Sequence, residues 1–167
     1  WHQILNLGIP LAASAGSDVM SDYYRTMAIG ATRVYVRPEG ELTMASYLNA
    51  LRAGRSFVTN GPLLQFTVAG EGPGATIAGG RAVPWSLDVS SAHPFERIEL
   101  FVNGEVVQTL DEGGGTGRSS FRGQLEVPAG GWVTARVTGG NTGWPTLESN
   151  LYAETSPVWF GRVGSSE

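Results

Sequence analysis

The chain has 167 residues and a formal net charge of −4, from 15 acidic residues against 11 basic ones that are all Arg. With no basic cluster, the electrostatic footprint of a nucleic-acid binder is missing. A hydrophobic content of 41% gives a globular chain with a sizeable core, and no apolar run approaches the ~20 residues of a membrane-spanning helix, so no membrane span is expected. The absence of Cys excludes disulfides and thiolate ligands and leaves the compartment open.

Residues 1–8 place Ile4, Leu5 and Leu7 among polar residues and stop at Gly8, as the end of a helix with a C′ glycine does. The apolar run Ile9 to Ala15 predicts a short buried strand that closes on Gly16-Ser17-Asp18. A carboxylate just past the C-terminal end of a buried strand is where an α/β barrel holds metals and substrate. Only seventeen residues precede Asp18 and cannot supply the rest of a barrel, so the chain reads as the tail of a larger enzyme. Residues 19–31, which include Asp22, Tyr23, Tyr24 and Arg25, lack periodicity and predict an exposed loop beside that carboxylate.

Thr32 to Val36 alternates around Val34 and predicts a strand. The clearest helix follows, with Thr43 as N-cap, Met44, Tyr47, Leu48 and Leu51 at helical spacing, Arg52 near the end and Gly54 as terminator. Ser56 to Thr59 is one more strand, and Asn60-Gly61-Pro62 a turn.

From Leu63 the period becomes two. Leu64, Phe66 and Val68 share one face, as do Trp85, Leu87 and Val89, and Ile98, Leu100 and Val102. Asn103-Gly104 between Val102 and Glu105 predicts a type I′ hairpin over 97–109. Leu125 with Val127, Val133 with Ala135 and Val137, and Val158 with Phe160 add three strands, and Asp111 to Gly117 reads as a loop tip. The spacing predicts an antiparallel β-sandwich over 63–163, with 1–62 packed on it through the Thr59–Pro62 corner and 164–167 a disordered tail. The 24 Gly and 9 Pro suit such a turn-rich fold.

Read together, Leu5-Asn6-Leu7-Gly8, Ala15-Gly16-Ser17-Asp18, Arg33-Val34-Tyr35-Val36 and the run Ala50 to Leu64 resemble the C-terminal part of the PHP-like metal-dependent hydrolases of the CehA/McbA type. The likeness continues through Ile98-Glu99-Leu100, Val102-Asn103-Gly104, Trp132-Val133, Ala135-Arg136-Val137 and Thr155-Ser156-Pro157-Val158, nearly the whole chain. It implies a mainly β chain: a small α/β remnant of a PHP-type barrel in 1–62, then an Ig-like antiparallel β-sandwich. It also implies that Asp18 is a ligand of a divalent metal (Zn, Mn or Fe) in the complete enzyme, whose His-x-His ligands lie upstream. There a metal-activated water hydrolyses a small ester, carbamate or phosphoester. The wider superfamily has Asp-x-His where this chain has Asp18-Val19-Met20, so one imidazole ligand is missing.

Each of these residues also has a plainer reading. Asp18 suits an Asx-turn as well as a metal, and a lone carboxylate holds no catalytic metal, so no metal is expected in this piece by itself. His2 and His93 read as surface or packing residues. Asp22, Tyr24, Arg25 and Arg33 are the candidate substrate-binding residues, on the ground that loops after barrel strands carry specificity. Arg33 and Arg55 suit a clamp on an anionic substrate, or ion pairs to acids such as Glu39 and Glu41. No catalytic residue is assigned: Ser14 and Ser17 lack a nucleophile elbow, and Gly113-Gly114-Gly115 has neither a Lys nor a following helix.

Trp85, Trp132, Trp144 and Trp159 invite the alternative of a non-catalytic, carbohydrate-binding sandwich. Trp85 and Trp159 nevertheless pattern as core or junction, and only Trp144 as exposed. The expected partners are the upstream barrel and an ester-like substrate. Because the barrel face of 1–62 has lost its neighbours, self-association through exposed apolar surface is expected as well.

Overall fold

The computed structural model describes residues 1–20, 28–111, 115–143 and 148–161. The chain is mainly β: among the described residues two short helices, α1 (His2–Asn6) and α2 (Met44–Arg52), accompany eleven strands. Strands β1 (Arg33–Val36), β2 (Ser56–Thr59), β9 (Trp132–Gly139), β10 (Leu151–Thr155) and β11 (Val158–Gly161) share one sheet with the β6 (Arg97–Val102) and β7 (Glu105–Asp111) hairpin. β4 (Thr76–Ala78) joins that sheet alongside β11, in parallel. The second sheet is antiparallel, β3 (Leu63–Val68), β5 (Gly80–Ser91) and β8 (Gly117–Val127).

One core fills the space between the sheets because each contributes the inward half of its alternation. Phe66, Leu87, Val89 and Leu125 come from the small sheet, and Ile98, Leu100, Val133, Val137 and Phe160 from the large one. The inward faces predicted from period two are the observed ones, and the Asn103-Gly104 turn has φ values of 52° and 87°, as a type I′ turn requires.

The first sixty residues do not form a separate layer. β2 pairs with both β1 and β10, in register Thr59 with Arg33 and with Ala153, so the large sheet runs on across residue 62. Gly74 fastens the same junction: its backbone lies against Ala53, Gly54 and Arg55, the turn that follows α2, and its N–H donates to Pro157 O at 2.8 Å.

The helix over 44–52 forms as predicted. Thr43 Oγ1 accepts from Ser46 N–H at 3.1 Å and Ser46 Oγ accepts from Thr43 N–H at 2.9 Å, a reciprocal cap. Its apolar stripe is another matter: Met44 and Leu48 face solvent, and only Ala50 is buried.

The strand expected over 9–15 is absent. Pro10 has no N–H to give to a ladder, and no neighbouring strand among the described residues supplies partners, so the segment runs as irregular backbone. It is held by Trp1 Nε1–H donating to Leu11 O at 2.7 Å. Two strands escaped the sequence reading. β4 has three residues, and β10 alternates Leu151, Ala153 and Thr155 inward against Tyr152 and Glu154 outward.

Candidate functional site

Asp18 does not stand at the end of a buried strand. It is an exposed residue of the irregular segment, with φ at +47°, a left-handed conformation that Asp adopts more readily than most residues. Among the described residues no three His, Cys, Asp or Glu side chains converge on a metal site. Asp22, Tyr24 and Arg25 lie outside the described residues, as does Trp144.

Arg33 lies near the Asp18 turn and is tied to it through Gly30. Gly30 N–H donates to Ser17 Oγ at 3.2 Å, and Arg33 Nη1 donates to the carbonyls of Gly30 and Ala31 at 3.0 Å each. Its Nε donates to Tyr35 Oη at 3.1 Å. The guanidinium therefore braces the turn, beside a small pocket of about 260 Å³ shared with Asn60 and His93. Of the ion pairs expected at Glu39 and Glu41, Arg55 forms the one to Glu39, at 3.4 Å.

The densest polar cluster is one that sequence reasoning passed over. Glu154 on β10 and Arg136 on β9 are directly opposed, both facing away from the core. Glu154 is 1% exposed and accepts from Arg136 Nε at 3.0 Å, Thr134 Oγ1 at 3.2 Å, His2 Nε2 at 2.7 Å and the Tyr152 hydroxyl. A carboxylate so enclosed is tolerated because its lone pairs are met by donors, one of them a guanidinium. Arg136 in turn lies 4.2 Å from the Phe101 ring centroid.

This cluster seats α1. A five-residue helix has no stability of its own, and here Leu5 is buried against Phe101 and Trp132 while the His2 ring packs 4.9 Å from Trp132. Trp132 Nε1–H donates to Asn6 Oδ1 at 2.9 Å, and Asn6 Nδ2 donates to Asn103 O at 3.0 Å. His2 is thus a packing histidine with an ionic partner, and Glu154, with its donors in place, serves as a joint. Trp85 is buried in the core, and Trp159 packs at the α1 junction.

Burial, then the Glu154 charge and its hydrogen bond, push the Tyr152 phenol well above its ordinary value near 10, with Arg136 opposing. The Arg136 guanidinium is raised as well: burial opposes this, but the Glu154 hydrogen bond and charge outweigh it. For Tyr152 the folded state keeps a proton that the unfolded chain releases above about pH 10, so its contribution is complete below that pH and is lost as pH rises further. We predict that Tyr152→Phe makes the alkaline decline of stability shallower, by up to about 1.4 kcal/mol per pH unit. Urea unfolding on either side of pH 10 measures it, and parallel declines for the two proteins would refute the assignment.

A second site was not anticipated as such. An open cleft of about 1210 Å³ runs between the β1–β2 arm, the 70–75 turn and the β3–β5–β8 sheet. On the arm, Tyr35 and Phe57 are cross-strand partners whose rings stack at 5.1 Å and 13°, with Tyr35 partly in solvent. Across the cleft, Asp88 accepts from Ser120 Oγ at 2.5 Å, between Arg118 and Arg122 on β8. The signal available in the sequence was the polar half of the β3 and β5 alternation, Gln65 and Asp88, whereas no strand was predicted over Arg118 to Arg122.

No family model, curated protein or solved structure matches this chain.

Proposed function

We propose that this chain is the C-terminal part of a PHP-like metal-dependent hydrolase acting on esters, carbamates or phosphoesters. In this reading residues 1–62 carry the closing edge of its barrel, with β1 and β2 continuing into the large sheet of the Ig-like sandwich, which is a buttress. The observation that carries the proposal is the distribution of uncovered apolar side chains. Leu7, Ile29 and Met44 are 76%, 85% and 75% exposed, and Ile9, Leu11 and Leu42 are exposed with them. Beyond residue 48, the exposed large apolar residues among those described are Leu63, Val106 and Val107. Apolar exposure concentrated in one segment, next to a sandwich whose core is closed, marks a face that packs against further structure.

The described residues do not by themselves make a metal site, since Asp18 stands without two companion ligands. Asp18 is accessible, and its turn is braced by Arg33, which suits one ligand of a site completed from elsewhere. Titration of Zn²⁺ or Mn²⁺ into the full-length parent and its Asp18→Ala variant tests the role. The expected result is a loss of affinity of more than about tenfold together with loss of ester hydrolysis; unchanged affinity and activity would remove Asp18 from the site.

The exposed face makes a prediction for the chain by itself. In sedimentation velocity its weight-average mass should rise with concentration, and Met44→Ser with Leu48→Ser should reduce that rise. A monomer throughout would contradict the uncovered-face argument.

A second reading, that the sandwich binds a ligand, is favoured by the cleft beside Tyr35 and is compatible with the first. Among the described residues no helix is long and apolar enough to cross a membrane.

A further inference from the structure

The cleft beside Tyr35 gathers arginines in a chain whose net charge is −4. Arg37, Arg118 and Arg122 all line it, and among the described residues their side chains have no ion-pair or hydrogen-bond partner. A guanidinium is planar and bidentate, matched to a carboxylate, and three left unpaired in one cleft favour an anionic visitor. Strand geometry sets the spacing: Arg118 and Arg122 are four residues apart on one face of β8, about 13 Å along the strand, with Ser120 between them.

The cleft is not simply basic. Asp88 lies beside Ser120, in register with Gln65 on β3, and Glu39 and Glu71 stand on the opposite wall. Those carboxylates oppose any anion in proportion to its charge, but a ligand carrying hydroxyls as well as negative charge would use them as acceptors, which a bare polyphosphate cannot do. The stacked Tyr35–Phe57 pair supplies an aromatic edge beside them, with the Arg33 guanidinium 5.3 Å from the Tyr35 ring centroid. Separate carboxylates, many hydroxyls and an apolar ring face together describe one class of molecule.

We propose that this cleft binds an acidic oligosaccharide built of uronic acid units, its carboxylates on Arg118, Arg122 and Arg37, its hydroxyls on Asp88 and Gln65, and one sugar face on Tyr35. The proposal rests on the binding reading of the sandwich and is independent of the hydrolase reading.

Isothermal titration of the whole chain with tetragalacturonate tests it, alongside its fully methyl-esterified form, neutral cellotetraose and an oligothymidylate of equal charge. Tetragalacturonate should bind one to one, more weakly as salt is raised. Arg118→Gln with Arg122→Gln should lower the affinity at least tenfold, and Tyr35→Ala should lower it for the same ligand. Arg118 and Arg122 are exposed, so circular dichroism and melting temperature should stay unchanged for that pair, while Tyr35→Ala, which also loses the Phe57 stack, is compared at temperatures well below its own melting point. Equal binding of the methyl ester or of cellotetraose would overturn the acidic class while leaving a binding module. Equally tight oligothymidylate would overturn the sugar in favour of a nucleic acid, and failure of all four ligands would overturn the binding reading with it.

Discussion

Replacing Glu154 with Ala should lower the unfolding free energy by about 3–5 kcal/mol, the loss that follows when one member of a buried ion pair is removed. The magnitude comes from what is left behind. Arg136, His2, Thr134 and Tyr152 all direct donors at this carboxylate. The Arg136 side chain is 25% exposed and can recover some hydration, which places the effect toward the lower end. Because His2 reaches Glu154 from α1, the loss should be shared with that helix: a double-mutant cycle with His2→Ala should show non-additivity, and the α1 amides should exchange faster in the single variants. A loss below about 1 kcal/mol in urea unfolding would mean that the cluster is not the joint described here.

Gly74→Ala should be nearly as damaging, about 2–5 kcal/mol from backbone strain and overpacking together. At φ of +85°, an added Cβ would stand 2.2 Å from Ala53 O, 2.8 Å from Gly54 C and 2.9 Å from Arg55 N. These are main-chain atoms of the turn between α2 and β2, so relief requires the turn to move off the sandwich. Gly70 provides the control: its φ is also +85°, but nothing lies within 4 Å of its Cβ position. Gly70→Ala should lose only the conformational part, about 1 kcal/mol. If the two variants melt alike, the contact between the turn and the sandwich does not contribute as argued.

The sandwich was legible because its signals are local. Alternation over Leu64 to Val68 or Trp85 to Val89 assigns a face without knowledge of the partner strand, and Asn103-Gly104 specifies a hairpin through its own backbone preferences. β10 was not predicted although Leu151 to Thr155 alternates: five residues that include a Glu carry little strand propensity, and the burial of Glu154 depends on partners distant in the chain. The cleft was not predicted for a related reason: Arg118, Ser120 and Arg122 lie in a stretch for which no strand was predicted, and only the β1–β2 arm and the 70–75 turn make them one wall of a cavity.

The irregular segment misled in the opposite direction. Ile9 to Ala15 has the apolar run of a buried strand, yet a strand also needs a neighbour to take its hydrogen bonds, and Pro10 and the lack of one among the described residues leave the segment open. The same reasoning accounts for α2, whose cap and length follow from Thr43, Ser46 and Gly54, whereas burial of Met44 and Leu48 depends on a surface that those residues cannot specify.

The order of amino acids alone therefore determines the mainly β character, the inward face of most strands, the hairpin turn and both ends of α2, since each depends on residues adjacent in the chain or two to four apart. Which acid meets which base, the seating of α1 by Glu154, the contact at Gly74 and the gathering of arginines beside Tyr35 are decided only by folding. They bring together residues such as His2 and Glu154, 152 positions apart, whose proximity no local preference encodes.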